Sequence, residues 1–281
     1  MWLIYDLRCV TLSFMEKQCA RCGEVKSIEL FYAHKGWADG RHPYCKACFL
    51  AYAKARREKL AVRAPGYYRW KRDLVRHDYF DQIDLPIKAY ILGFLAADGN
   101  VLPKHHRITL ELSAKDSDLL SIIRDELVPG GAITQRQRRG FTYQTLAFVS
   151  RQMITALERL GVGAAKSRTL LWPTTLPAEY CREFILGYFD GDGFITYHQR
   201  GAIHYPYLGI TSGSRDLLVA IADVIELHVG VRPQGPWLKA GTNAYVIRAS
   251  GRRALAIDQW LHSDDLGLQR KRLERSYESS H

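Results

Sequence analysis

The sequence predicts an α+β protein in which two pseudo-symmetric αββαββα halves follow a small cysteine-bearing module. Three observations predict this. A nonapeptide is written twice, as ILGFLAADG at 91–99 and ILGYFDGDG at 185–193. The segments after each copy run through the same order of helix-like and strand-like patterns. Two CxxC pairs stand ahead of both copies.

Each half is justified element by element. The nonapeptides end apolar stretches, IKAYILGFLAADG and REFILGYFDGDG, that read as helices. β-Prone segments follow, VLPKHHRITLEL in the first copy and FITYHQ with HYPYLGITS in the second. Then come SAKDSDLLSIIRDEL and TSGSRDLLVAIADVIEL, with Ser/Asp starts and helical apolar spacing. Hairpins are expected in AITQRQRRGFTYQTLAFV and GPWLKAGTNAYVIRAS, and short helices in SRQMITALERLG and GRRALAIDQWLHS. Each half closes on a basic element, KSR at 166–168 and QRKR at 269–272. The expected divisions are an N-terminal extension 1–14, a module 15–53, a basic linker 54–83, and halves at 84–175 and 176–281.

The chain has 281 residues, 47% hydrophobic, with a formal charge of +11 and a pI near 9.4. That charge favours a polyanionic partner. No apolar run reaches the length of a membrane span. The opening MWLIYDLRCVTLSF carries Asp6 and Arg8 and does not read as a signal peptide, so a cytoplasmic protein is expected.

Without a secretory signal, Cys19-x2-Cys22 and Cys45-x2-Cys48 suggest metal before disulfides. Four thiolates in two such knuckles can close a tetrahedral structural Zn²⁺ site. His34 and His42 are weaker alternative ligands, and Cys9 and Cys181 are solitary. Leu30, Phe31 and Tyr32 are expected to form a tiny core, with a turn at Trp37-Ala-Asp-Gly. The linker that follows begins as a helix and carries Arg56, Arg57, Arg69, Lys71 and Arg72, residues suited to phosphate contact.

On a helix, Gly93 and Ala97 share a face, as do Gly187 and Gly191. Small residues at that spacing let two helix backbones touch. Asp98 and Asp192 then end their helices beside each other, each before a glycine expected to take a left-handed C-cap conformation. Two carboxylates there repel one another and oppose the helix dipole. A hard divalent cation offsets both, which suits Mg²⁺ (or Mn²⁺) and phosphodiester cleavage.

These nonapeptides resemble the signature motifs of the LAGLIDADG homing endonucleases in their single-chain form, over roughly residues 84–275. The resemblance implies two four-stranded antiparallel sheets forming a DNA-binding saddle, with the motif helices between them. It implies Asp98 and Asp192 as catalytic metal ligands. It implies Lys166 and Lys271 near the scissile phosphate, with Arg270 and Arg272 competing in the second half. Asp190 receives no catalytic role, because Ala96 stands at its counterpart. Ala114 and Ser212 match a position after the second strand that is usually polar, so Ala114 raises the question of unequal active sites. Base readout is expected from Gln135, Arg136, Gln137, Arg138 and Arg139 in one half. In the other it is expected from Tyr197, Gln199, Arg200, Lys239, Asn243 and Tyr245. The cysteine module resembles zinc modules at the front of phage endonucleases of the HNH and recombination type. The implied activity is a monomeric, metal-dependent endonuclease cutting a long asymmetric DNA duplex with 3′ overhangs. An RNA-binding intron maturase and a cleavage-inactive DNA-binding regulator are the rival readings.

Overall fold

In a computed structural model, which describes residues 16–63, 74–163, 168–200 and 203–273, the chain divides into two units, within Met1–Arg69 and Trp70–His281. In the first unit, β1 (Glu16–Gln18) pairs with β2 (Val25–Ser27), and β3 (Phe31–Ala33) with β4 (Arg41–Cys45). Helix α1 (Lys46–Arg63) leaves directly from β4. The core is smaller than expected. Phe31 is buried with Cys19 and Cys45, while Leu30 and Tyr32 are exposed. Leu30 ends a 3-10 turn (Ile28–Leu30) ahead of the strand, and alternation along β3 turns Tyr32 to the side opposite Phe31.

The second unit holds the repeat. Its first half runs α2 (Pro86–Asp98), β5 (Asn100–Leu102), β6 (Arg107–Ser113), α3 (Ser117–Leu127), β7 (Ile133–Arg138), β8 (Phe141–Val149) and α4 (Arg151–Arg159). Its second half runs α5 (Cys181–Asp192), β9 (Gly193–Arg200), β10 (Ile203–Ser212), α6 (Arg215–Val229), β11 (Gln234–Leu238), β12 (Tyr245–Ser250) and α7 (Arg252–Leu261). Two four-stranded antiparallel sheets result, in the orders β5-β6-β8-β7 and β11-β12-β10-β9. Reversing the second order gives the first, as a duplication requires. Of the stretch expected as a basic linker, 74–83 instead joins this unit. Val75, Tyr79, Phe80 and Ile83 are buried in its core, because burying apolar side chains outweighs the charge around them.

The halves meet at α2 and α5. A methyl group on Gly93 would lie 2.0 Å from the carbonyl oxygen of Phe184, and one on Gly187 would lie 1.9 Å from that of Tyr90. The contacts are reciprocal: each glycine faces the residue three positions before the other. That is the signature of a pseudo-two-fold axis passing between the helices. A methyl on Gly191 would fall 2.3 Å from the Ala97 side chain, closing the crossing at its far end.

Both helices run almost directly into strands. Gly99 (φ −69°, ψ 133°) and Gly193 (φ −88°, ψ 165°) are extended rather than left-handed, contrary to the expected C-cap. They are glycine for space. A methyl on either would lie 2.5 Å from the carbonyl of Leu95 or Phe189.

Replacing Gly187 with alanine is expected to destabilise the second unit by at least about 2 kcal/mol, since backbone cannot retreat as a side chain can. Urea unfolding of the variant checks this. An unchanged midpoint would contradict the crossing geometry.

Candidate functional site

The crossing delivers two acids to one place. The carboxyl carbon of Asp98 lies 3.5 Å from where a side chain on Gly191 would begin, one residue before Asp192. Asp98 is exposed and Asp192 half-buried. The two share an electrostatic neighbourhood. Burial raises the pKa of the Tyr188 phenol, and the charges of Asp192 and Asp98 both add to the rise. Thr211 Oγ1 donates to the Asp192 carbonyl at 2.8 Å, fixing the end of α5 against β10. Two carboxylates converging from separate helices offer hard oxygen donors of the kind that suit Mg²⁺.

Lys271 is expected near a phosphate. It is buried, and its ammonium donates to the carbonyls of Phe189 (3.0 Å), Asp190 (2.6 Å), Gly191 (3.3 Å) and Gly193 (2.8 Å). It therefore satisfies the Asp190 and Gly191 carbonyls at the end of α5, joins the Gly193 N–H at the Phe189 carbonyl, and complements the dipole there. Burial pushes its pKa below the usual lysine value, against the pull of Asp190, Asp98 and Asp192. Its two competitors point elsewhere. Arg270 donates from Nε and Nη2 to the two carboxylate oxygens of Asp116, each at 2.7 Å, and Arg272 donates to the carbonyls of Asp264 and Leu266. Lys166 lies outside the described residues.

Asp190 is a residue that sequence reasoning set aside. It is buried, and its Oδ2 accepts from the Tyr90 phenol at 2.7 Å and from the Leu268 N–H at 2.8 Å. Burial raises its pKa. It joins α2, α5 and the closing segment at one carboxylate. The motif itself flagged an acid here, but only the fold shows which partners it ties together.

The strand registers also revise one sequence match. Ser212 faces Tyr245 and Ile210 faces Ile247. In the first half Leu112 faces Gln144 and Leu110 faces Leu146. Leu112 is thus the counterpart of Ser212, in place of Ala114. The loops between the second strand and the next helix differ in length, which is why counting back from the helix misplaced it.

Alternation assigns the sheet candidates to faces. In the first sheet Ile108, Leu110 and Leu112 turn to the core. By register, Arg136 and Arg138 share the opposite, open face with Arg107, Glu111 and Tyr143. Glu111 pairs with Arg136 and lies 3.8 Å from Arg138, whose guanidinium stacks 4.8 Å from the Tyr143 ring. Gln135 and Gln137 fall on the other parity, though exposed beyond the core, and Arg139 occupies the positive-φ turn with Gly140. In the second sheet the open face carries Phe194, Thr196, His198, Tyr205, Tyr207 and Arg248. Tyr197, Gln199 and Tyr245 take the core parity instead, because a one-residue offset reverses the face. Lys239 and Asn243 are exposed in the β11–β12 loop. Arg248, packed 4.9 Å from the Trp237 ring, is a residue the sequence reading missed; only the register exposes it. Arg69, Lys71 and Arg72 lie outside the described residues, as do the side chains of Arg56, Arg57 and Arg200.

In the first unit, the Sγ atoms of Cys19, Cys22, Cys45 and Cys48 all lie within 4.8 Å of one another. Zn–S bonds of about 2.3 Å imply tetrahedral edges of about 3.8 Å, so the group needs only slight contraction to hold the ion. Burial works against the Cys19 thiolate, yet N–H groups of Cys22, Cys45 and Arg21 and the Cys22 thiol together pull its pKa to about 6. Its thiol neighbour Cys45, and then burial, push Cys48 up to about 12. His34 and His42 instead accept backbone N–H groups from Gly36 and Tyr44 through Nδ1 and pack edge-on with each other.

Against this geometry, residues 179–235 match the family model of a LAGLIDADG-like domain. The match falls within the second half of the repeat, and the first half follows the same order of elements. No curated protein matches the chain. Among solved structures, the meganuclease I-SmaMI bound to uncleavable DNA is similar at 11% identity, over 63% of this chain and 84% of that one, with a TM-score of 0.44. Mesophilic variants of the homing endonuclease I-DmoI are similar at 16% identity, over 64% and 96%, with a TM-score of 0.43. The LAGLIDADG homing endonuclease I-GzeII in complex with its DNA target is similar at 11% identity, over 59% and 78%, with a TM-score of 0.39. Among the described residues, no helix is long and apolar enough to cross a membrane.

Lys271→Met is expected to lower stability by about 3 kcal/mol, because the buried Asp190 carbonyl and its partly buried neighbours lose a charged donor; denaturant unfolding at neutral pH checks it. Cys45→Ser is expected to lose stoichiometric zinc, read by metal analysis of the purified chain. Retained zinc in that variant would remove the four-thiolate centre.

Proposed function

We propose that this protein is a site-specific DNA endonuclease that hydrolyses phosphodiesters with a divalent metal held by Asp98 and Asp192. The observation that carries the reading is the convergence of those two acids at a glycine-lined helix crossing. Behind it stand the LAGLIDADG-like match over residues 179–235 and the net charge of +11. A bound Mg²⁺ or Mn²⁺ would lower the pKa of a water and stabilise charge on the phosphate.

The chain's own residues hold and orient. Asp98 and Asp192 present carboxylate oxygens at the middle of the unit. Lys271 stiffens the end of α5 so that Asp192 keeps its place, and Lys166 is the candidate to meet the phosphate. In the reaction the water oxygen bonds to phosphorus, one P–O ester bond breaks, and the departing oxygen takes a proton. Arg136, Arg138 and Arg248 are suited to base edges or phosphates from the open sheet faces, since paired strands can enter a major groove. The two faces differ, one rich in charge and the other in aromatic rings, which favours a long asymmetric target. One cut per strand would leave 3′ overhangs. The chain acts as a monomer, because it carries both acids itself. The cysteine module, with one structural Zn²⁺, and the basic residues after it add phosphate contacts.

Cleavage-site selection on a randomised duplex library in Mg²⁺ tests this. Asp98→Asn and Asp192→Asn are each expected to keep binding in Ca²⁺ and to lower double-strand cleavage by at least about a hundredfold. Variants that cut like the parent would end the catalytic assignment. A parent that binds duplex and never cuts would leave a DNA-binding regulator.

A further inference from the structure

On the open face of the first sheet a carboxylate stands among arginines. By register Glu111 shares that face with Arg107, Arg136 and Arg138. An acid repels a polyanion, so its place on a surface that would meet one calls for a physical reason. Strand order supplies it. β8 lies between β6 and β7, so Glu111 on β6 meets the arginines of β7 only across Thr145 and Tyr143. Neighbouring strands stand about 4.8 Å apart, so the two backbones are about 10 Å apart and only long side chains span the gap.

The carboxylate is held on several sides. Thr145 Oγ1 donates to Glu111 Oε2 at 3.2 Å. Arg136 Nη2 pairs with the same oxygen, and Arg138 Nη2 lies 3.8 Å from Oε1. The Arg138 guanidinium rests 4.8 Å from the Tyr143 ring. The Glu111 side chain is 24% exposed, against 57% for Arg136 and 56% for Arg138. The acid is therefore mostly covered and engaged by its neighbours, while the guanidiniums keep the outer position. Arg136 pairs with Tyr143 and Arg138 with Phe141, whereas Glu111 pairs with Thr145. Both arginines thus lean back from the hairpin tip to meet it. Exposed ion pairs contribute little to stability, so folding energy does not account for the arrangement. Preorganisation does. A guanidinium reads guanine when its fork is aligned with O6 and N7, and ordering a long side chain at the moment of binding costs affinity.

We propose that Glu111 is a positioning residue for base readout: it sets the forks of Arg136 and Arg138 for guanines in the major groove over β7, and so fixes sequence preference there without contacting DNA itself. The proposal rests on the endonuclease reading above, of which it uses only the binding of duplex DNA. The effect is confined to one sheet. Thr211 is the register counterpart of Glu111 in the other sheet, where Arg248 packs 4.9 Å from the Trp237 ring.

The test is binding-site selection with the full chain on a randomised duplex library in Ca²⁺, read by sequencing. The parent is expected to select guanines that Arg136→Met and Arg138→Met each erase. Glu111→Gln should lower preference at those same base pairs by about two- to tenfold, the effect of leaving a long side chain to be ordered on binding. Base pairs whose preference depends on Arg248 should not change. With one negative charge gone, binding to unrelated duplex should tighten, and its slope against log salt should steepen by at most about one. Adding Glu111→Gln to Arg136→Met should bring no further loss at the Arg136 position, because the acid acts there through that side chain. Thr145→Val frees the carboxylate without altering charge and should flatten the same positions less, which keeps the proposal testable if Glu111→Gln folds poorly. Glu111→Gln that alters affinity for every duplex alike and keeps the preference overturns the proposal. So does a change confined to a cytosine that neither arginine reads, since Glu111 would then contact the base itself. A loss spread over both sheets' positions marks a structural role and overturns it too. Selected binding without cleavage in Mg²⁺ would end the endonuclease reading, while the Glu111 pattern still decides this proposal. A chain that binds no duplex overturns both.

Discussion

Two helices touch backbone to backbone, and almost everything else in the second unit follows from that contact. With 2.0 Å or less between a hypothetical methyl and the facing carbonyl, neither Gly93 nor Gly187 leaves room for a side chain. Glycine in a helix interior costs about 1 kcal/mol relative to alanine. The return is a shared apolar core. Tyr90, Phe94, Phe184 and Phe189 are buried around the crossing and close one core over both halves. The same approach brings Asp98 and Asp192 together, so the element that holds the halves is also the one that assembles the acids.

Close approach has an electrostatic cost, and the closing segment after α7 meets it. A helix that ends inside a protein leaves carbonyls without donors and a negative dipole end beside an acid. Lys271 donates to the Asp190 and Gly191 carbonyls there and to those of Phe189 and Gly193 beside them, Leu268 donates its N–H to Asp190, and Arg270 reaches across to Asp116 in the first half. The basic QRKR element therefore serves helix ends and an acid of the other half, all within the protein. A positive charge buried against four carbonyls is tolerated because their dipoles replace the water that it gives up.

Much of the element order was legible in the sequence, since the repeat let each half check the other. Periods of 3.6 and 2 separated helices from strands, and the small residues at four-residue spacing announced the crossing. Face assignment was not legible. Tyr197 and Gln199 read as good base-contacting residues, yet the pairing of β9 with β10 gives the open face to Phe194, Thr196 and His198. A register slip of one residue is invisible in composition and reverses every side chain. The Ser212 counterpart was misplaced for a similar reason: loop lengths differ between the halves, and only hydrogen-bonded pairing restores the count.

The sequence by itself determined the kinds of group present: two Asp-Gly helix ends, four thiols in two close pairs, and a large positive charge. Those are local facts, carried by spacing along one chain. What only the tertiary structure decided is which groups meet, because burial and strand register depend on residues far apart in sequence. Lys271 became a helix-end donor, Asp190 a junction of three segments, and Tyr188 the partner of Ser212 when 24 to 100 positions of chain folded back to bring them within hydrogen-bonding distance.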